Sequence, residues 1–300
     1  MTNAAPIILF TYNRPDLLEK TLESLSNNIL AEKSRLFVFS DGPKSIADGK
    51  KVKRTRGIIE NIQGFAEVNK TYNETNLGLA ESIINGVSKI INEFGKAIVM
   101  EDDLVSSENF LLFMNDALDK YENFKEVFSI SGYSHPVKAK ELLDEDVFFI
   151  PRIGSWGWAT WRDRWELADW QVEDFDDFKK DKSQQKLFNR GGEDLTPMLK
   201  AQMTGRINSW AIRWNYSLYK NNGLCLYPKL SKINHIGNTK EGTHVPATDK
   251  YDVELDKNEG HVKLSAKIEC DEKLLSAIND FVKPSFIRKI INYFKYDVLS

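Results

Sequence analysis

The sequence predicts an α/β protein with a mostly parallel sheet flanked by helices, and three observations carry that prediction. Short apolar runs at Pro6–Phe10, Leu36–Phe39 and Lys96–Met100, with a weaker one at Ala66–Tyr72, alternate with segments of helical period. Such alternation requires crossover connections and helices on both faces of a sheet. The compact runs are apolar at successive positions, as strands covered on both faces must be. Three of them also end abruptly in polar residues, where ligands bind open α/β sheets.

Taken in order, Pro6-Ile7-Ile8-Leu9-Phe10 forms the first strand. Thr11-Tyr12-Asn13-Arg14-Pro15 follows, with Asn13 placed to cap a helix whose period is set by Leu17, Leu18, Thr21, Leu22 and Leu25. Leu36-Phe37-Val38-Phe39 is the second strand and ends at Ser40-Asp41-Gly42-Pro43. A basic stretch, Lys44 to Arg56, runs into a helix marked by Val52, Ile58, Ile59 and Ile62. Ala66 to Tyr72 is the third strand, and Asn73 to Gly78 a turn. From Leu79 to Phe94 the apolar residues give the cleanest amphipathic helix of the chain.

Lys96 to Met100 is the fourth strand, and it runs into Glu101-Asp102-Asp103. Three adjacent carboxylates repel one another unless a positive group sits among them. Hard oxygen ligands suit magnesium or manganese, and such an ion commonly brings a phosphorylated substrate. Two of the acids could instead cap the next helix while the third stays solvated. That helix spans Phe110 to Tyr121, and Val127 to Ser131 is a further strand.

Beyond residue 132 the character changes. Val147 to Ile150 reads as a strand, and Gly154 to Trp161 carries Trp156, Trp158 and Trp161 among only seven tryptophans. Gly191-Gly192-Glu193-Asp194 opens a helix through Met203, Ser209 begins another, and Leu224 to Tyr227 reads as a strand. The expected organisation is a nucleotide-binding half over 1–132, an acceptor-binding and catalytic half over 133–255, and a C-terminal extension over 256–300.

Composition excludes several classes. A net charge of −3 gives no general attraction to nucleic acid. The two cysteines, Cys225 and Cys270, form neither a disulfide framework nor a metal spacing, so a reducing cytosol is the expected compartment. Met1 to Pro6 has no signal-peptide pattern, and no run approaches the roughly 18 apolar residues that span a bilayer.

The motifs, in this order, resemble the GT-A glycosyltransferases. The likeness is greatest to bacterial family-two-like sugar transferases, and the acidic segment and the aromatic block also resemble N-acetylglucosaminyltransferase I. It covers roughly residues 6 to 250 and rests on Phe10 to Pro15, Ser40 to Pro43, Asn76-Leu77-Gly78, Glu101 to Asp103, Gly154 to Trp161, Glu193-Asp194 and Gly242-Thr243-His244. It implies inverting, metal-dependent transfer of a single sugar from a nucleotide-diphosphate donor, first of all a UDP-sugar. The acceptor would be a glycan or lipid-linked glycan of bacterial surface polysaccharide synthesis.

The resemblance also implies roles. Thr11, Tyr12, Arg14, Asp41, Asn76, Gly78 and Asp102 would bind the nucleotide, with Arg14 near the phosphates. Asp103 and His244 would ligate Mn2+ or Mg2+, the carboxylate and imidazole pair suiting manganese. Asp194, or failing it Glu193, would be the general base; the same acids could instead serve only to favour a helix N-terminus. Trp156, Trp158 and Trp161 would contribute to a sugar pocket, one or two at the pocket and the rest in packing. His135, His235 and His261 are expected to be structural or solvated.

Trp210-Ala211-Ile212-Arg213-Trp214 resembles the Gln-x-x-Arg-Trp signature of processive synthases but lacks the glutamine, so single transfer fits better. A sugar-nucleotide nucleotidyltransferase would want a glycine-rich loop after the first strand, which is missing. A non-catalytic carbohydrate-binding relic is the remaining alternative. In the tail, Phe286, Ile287, Ile290, Ile291 and Phe294 fall on one helical face with Lys283, Arg288, Lys289 and Lys295 elsewhere. That face would meet either an anionic membrane surface or protein, the enzyme's own core or a second subunit.

Overall fold

A computed structural model of the chain describes residues 4–237 and 249–283. Its centre is an eight-stranded sheet. In chain order the strands and helices of the first part are β1 (Ile7–Thr11), α1 (Pro15–Ser26), β2 (Arg35–Ser40), α2 (Ile46–Glu60), β3 (Glu67–Tyr72), α3 (Leu79–Phe94) and β4 (Lys96–Glu101). They are followed by β5 (Leu104–Ser106), α4 (Phe110–Tyr121), β6 (Val127–Ser131), β7 (Val147–Ile150) and β8 (Trp158–Trp161). Five helices come next, α5 (Arg162–Trp165), α6 (Phe175–Lys180), α7 (Lys182–Phe188), α8 (Leu195–Met203) and α9 (Trp210–Lys220). Then come β9 (Leu224–Pro228), β10 (Ile233–His235) and α10 (Glu272–Val282).

The sheet order is β3-β2-β1-β4-β8-β6-β9-β7. β1, β2, β3 and β4 are mutually parallel, β8 is antiparallel to both β4 and β6, β6 and β9 are parallel, and β7 closes the edge antiparallel to β9. The sheet is thus mostly parallel, as expected. Both expected halves contribute strands to it. The chain leaves β1 toward β2 on one side and returns to β4 on the other, which makes the carboxyl ends of β1 and β4 a switch point where a ligand can enter.

Helices cover both faces. Leu18 and Leu25 of α1, Ile59 of α2, and Leu111, Met114 and Leu118 of α4 pack on Ile7, Leu9, Ile98 and Met100. Ile83, Val87 and Ile91 of α3, Trp214 of α9 and Ile278 of α10 pack on Ile8, Val99 and Trp158 of the opposite face. α1 starts at Pro15, whose fixed φ suits a first turn, but Arg14 and not Asn13 occupies the cap position. Asn13 instead donates to Asp48 at 3.0 Å and ties the β1 loop to α2.

The last turn of α4 shows how one buried charge completes the fold. A helix end leaves carbonyls without intrahelical partners. Arg164, 2% exposed, donates to the carbonyls of Tyr121, Glu122 and Phe124 at 3.1, 2.8 and 3.1 Å. Its guanidinium lies 4.3 Å over the Trp161 ring and pairs with Asp163 at 2.7 Å. Arg164→Met is expected to strand these carbonyls and lower the unfolding free energy by about 3 kcal/mol or more. Urea unfolding measures it, and an unchanged midpoint would show that the clamp carries no weight.

Candidate active site

β4 delivers the acidic triplet to the switch point. Asp102 and Asp103 are 7% and 5% exposed, so their charges are answered by protein groups. The backbone N–H of Tyr12, just past β1, donates to Asp102 Oδ2 at 2.9 Å and joins the two strand ends. Arg14 donates to Asp103 Oδ2 in a very short ion pair, and His235 Nε2 lies 3.2 Å from the same oxygen. β5 and β10 pair antiparallel with Leu104 opposite His235, and the Ile236 N–H donates to the Asp103 carbonyl at 2.9 Å. That ribbon brings His235 onto Asp103. A Cβ at Gly237 would stand 2.2 Å from Asp103 Oδ2 and 2.9 Å from His235 Nε2, so only glycine leaves room there.

The electrostatics follow from the packing. Burial, then the neighbouring Asp103 charge, raises Glu101 to about 8 and Asp102 to about 7. Asp103 is desolvated too, yet His235 and Arg14 hold it below its ordinary value. The strand end therefore favours protons on Glu101 and Asp102, while Asp103 stays ionised between Arg14 and His235.

Beside it, Asp41 organises the other predicted nucleotide residues. Its Oδ1 accepts from the Leu77 N–H at 2.9 Å and its Oδ2 from the Gly78 N–H at 3.0 Å. Asn76 donates to the Gly42 carbonyl at 3.0 Å. The loops approach so closely that a Cβ at Gly42 would meet the Thr75 backbone at 2.5 Å. Arg56 seals the junction through the carbonyls of Asp41 and Asn73. Asp41 thus shapes the floor beside β1 through its own backbone contacts. Thr11 ends β1 with a buried Oγ1 that has no partner among the described residues.

An aromatic wall extends from His235. Trp156 stacks on its ring at 4.4 Å with 5° between planes, and Tyr133 and Tyr251 meet Trp156 edge-on at 4.7 and 5.7 Å. Next to this wall Arg152 donates to both oxygens of Asp194, at 2.9 and 2.8 Å. Burial disfavours the Arg152 charge, but Asp194 outweighs it and raises the guanidinium's pKa further. Glu193 is half-exposed, 3.4 Å from the Lys283 ammonium.

The structure therefore gathers Tyr12, Arg14, Asp102 and Asp103 at one point, with Asp41, Asn76 and Gly78 in the adjoining loops. Two of the three pocket tryptophans need correction. Trp158 and Trp161 are 1% and 2% exposed because β8 lies inside the sheet between β4 and β6, with both faces covered. Trp158 stacks on Trp210, and the Trp161 indole donates to the Leu118 carbonyl. Only Trp156, ahead of the strand, remains beside the acids. His244 and the amphipathic segment after Lys283 lie outside the described residues. His235, expected to be structural, is the imidazole that meets Asp103. Arg152, Tyr251 and Gly237 were also missed; the single apolar Ile233 ahead of Asn234-His235 gives no local signal for His235.

Among the described residues no group of three His, Cys, Asp or Glu side chains converges as a ready metal cage, and no helix is long and apolar enough to cross a membrane. A groove of about 650 Å3 between α1 and α2, lined by Leu22, Arg54 and Ile58, lies away from these groups.

No protein-family model and no curated protein matches the chain. Among solved structures, it is similar to the mannosyltransferase PcManGT from Pyrobaculum calidifontis, determined in complex with GDP-Man and Mn2+, at 16% identity and a TM-score of 0.38. That match covers 55% of this chain and 46% of the other. It is also similar to S. aureus TarS at 13% identity and a TM-score of 0.31, over 44% of this chain and 22% of TarS. The chain thus spans less than half of either neighbour.

His135 lies behind the wall, against Tyr133 and Phe281 at 5.3 and 5.7 Å. Burial, then Arg152, Lys140 and Lys250, lowers it to about 3 from 6.5. Between those values the unfolded chain takes up a proton that the folded chain refuses. The associated stability is complete above about pH 6.5 and is lost as pH falls toward about 3. His135→Phe keeps the ring contacts and is expected to flatten the acid-side decline in thermal midpoint. An unaltered slope would mean that His135 titrates as it does in the unfolded chain.

Proposed function

We propose that this chain is a glycosyltransferase of the GT-A type. It transfers a single sugar, with inversion, from a nucleotide-diphosphate donor to a glycan or lipid-linked glycan. The observation that carries the reading is the acidic triplet at the β1/β4 switch point, with Asp102 and Asp103 buried and Arg14 and His235 meeting on one oxygen of Asp103. The resemblance of the surrounding motifs to that family supports the same assignment.

A divalent cation fits these groups. Asp103 and His235 form an oxygen and nitrogen donor pair suited to manganese, and Gly237 leaves the Asp103 oxygen uncrowded by any side chain of its own. Burial first and the Asp103 charge second raise the proton affinity of Glu101 and Asp102, and a cation beside Asp103 would answer the second of these causes. Asp103 and His235 would hold it, and when bound it supplies Lewis-acid neutralisation of the diphosphate leaving group. Arg14, already at this point, would share its guanidinium with the donor phosphates. Asp102, fixed by the Tyr12 N–H, would orient the ribose, while the loops tied by Asp41 carry the base.

An inverting displacement needs a carboxylate to take the acceptor hydroxyl proton. Asp194 is the proposed base, and Glu193 the alternative. Both Asp194 oxygens are bound to Arg152, so one must turn from the guanidinium to the acceptor while the other stays anchored. Arg152 then positions the base.

Incubation with a panel of nucleotide-diphosphate sugars and Mn2+ is expected to release nucleotide diphosphate slowly. Asp103→Asn should abolish release and weaken donor binding without altering the circular dichroism spectrum. Full release by that variant, after chelation and return of manganese, would falsify the assignment of the triplet.

Asp194→Asn is expected to cut turnover roughly a hundredfold or more, the usual worth of a general base, at unchanged donor affinity. The variant also leaves Arg152 unpaired, so the double variant with Arg152→Gln separates structure from chemistry. Its thermal midpoint should recover while turnover does not. Recovered turnover would assign Asp194 to charge neutralisation alone.

A further inference from the structure

The basic stretch that runs into α2 is only partly used by the site. Residues 44–56 hold six lysines and arginines against one acid, Asp48, in a chain of net charge −3. Arg54 pairs with Asp16 of α1 at 2.5 Å, and Arg56 is turned inward to the loop carbonyls of Asp41 and Asn73. Lys44, Lys50, Lys51 and Lys53 are exposed, and Lys44, Lys50 and Lys53 make no ion pair among the described residues. Val52, Thr55 and Ile59 bury the inner side of α2, so Ile46, Lys50, Lys53 and Gly57, at intervals of three or four residues, share its outer side. A Cβ at Gly49 or Gly57 would meet no atom within 4 Å, so no other part of the described chain covers the helix at either position.

At the start of that side stands Ile46, 99% exposed, and no other large apolar side chain among the described residues is as bare. Folding fixes it there. Ser45 Oγ accepts from the Asp48 N–H at 3.3 Å and donates to the Asp48 carboxylate at 2.8 Å, which caps the helix and occupies the one acid of the stretch. The Lys44 N–H donates to the Tyr12 hydroxyl at 3.0 Å, and the Gly42 carbonyl accepts from Asn76 in the adjoining loop. That loop and the start of α3 add Leu77 and Leu79, 37% and 40% exposed, to the same end of the sheet, with Glu74 as the acid of the loop. Aliphatic side chains seek an apolar phase, while ammonium groups on long stems seek anions at its edge. The headgroup region of an anionic bilayer supplies both at one depth. A nucleic acid would answer the lysines alone, and the overall negative charge of the chain opposes it. A second copy would set lysine against lysine across an isologous contact.

We propose that this end of the sheet, led by Ile46 with Lys44, Lys50 and Lys53, rests on an anionic phospholipid surface. The contact itself stands without the glycosyl-transfer reading; its use rests on that reading. The carboxyl ends of β1 and β4 lie at the same end of the sheet as that of β2, which places the cleft within reach of an acceptor carried by the leaflet.

The test sediments the full chain with vesicles of equal phosphatidylglycerol and phosphatidylcholine, and with vesicles of phosphatidylcholine alone. Binding is expected to the anionic vesicles only, and to weaken as salt is raised. Ile46→Ser should weaken it roughly tenfold, the worth of burying such a side chain. Lys50→Gln with Lys53→Gln should weaken it roughly tenfold or more, since each lysine near such a surface is worth about fivefold. These side chains lie in solvent, so both variants should keep the thermal midpoint. Equal binding by the variants assigns the contact to another surface, the segment after Lys283 included, and overturns the proposal. So does equal binding to neutral vesicles, or no binding at all. A dimer in sedimentation velocity that Ile46→Ser splits, without vesicle binding, overturns it in favour of a second copy. Release of nucleotide from a soluble donor, measured without vesicles, should be the same in all three proteins; a loss in the variants would assign these residues to the donor site and overturn the proposal. If the chain binds vesicles as expected and turns over no donor, the membrane contact stands and the glycosyl-transfer reading fails.

Discussion

Three consecutive carboxylates at the end of one strand, two of them buried and the first half-buried, are the constraint to which the surrounding structure answers. A buried carboxylate must be protonated, paired or supplied with hydrogen-bond donors. All three solutions occur within four residues of β4. Glu101 and Asp102 are pushed toward the protonated form, Asp102 also accepts the Tyr12 N–H, and Asp103 is kept ionised by Arg14 and His235. Each answer commits other parts of the chain. Tyr12 must leave β1 in one direction, Pro15 must start α1 directly after Arg14, and β10 must pair with β5 so that His235 arrives opposite Leu104. The absence of a side chain at position 237 follows from the same oxygen.

Much of this architecture was legible in the sequence because it depends on local patterns. Strands buried on both faces are apolar without interruption, and α3 shows its period clearly because one face is buried along its whole length. The acidic triplet was legible as chemistry, since nothing in a soluble core otherwise asks for three adjacent carboxylates. β8 was less so. Its Trp-Ala-Thr-Trp segment is as apolar as a core strand, but tryptophans between glycines also read as a binding surface, and only the antiparallel insertion between β4 and β6 decides for the core.

What stayed hidden depends on distant partners. His235 meets a residue 132 positions earlier, and the three-residue β10 that carries it is too short to announce itself by period. The buried Lys232–Asp256 ion pair, both side chains at 3% exposure or less, was equally invisible: each residue alone reads as a surface charge. Asn109 donates to the same Asp256 carboxylate, and the Asp256 N–H donates to the Ser231 carbonyl. A polar cluster of this kind costs desolvation and returns specificity only if every member is present. Its place explains why a stretch of low periodicity after residue 249 is nevertheless fixed in space.

That fixing bears on the chemistry. The Tyr251 ring closes on Trp156, Trp156 lies flat on His235, and His235 touches Asp103. Phe281 from α10 closes on both Tyr251 and His135. α10 is itself anchored, because the Asp271 N–H donates to the Phe149 carbonyl and its carboxylate caps the first turn. The segment over 249–283 is therefore part of the site's wall. It links Asp103, through His235, Trp156, Tyr251 and Phe281, to His135, and rings hold distance without carrying charge. Rigid aromatic spacing in a low-dielectric wall keeps the Arg152–Asp194 pair apart from the carboxylates at Asp103, so each set of charges is answered by its own partners.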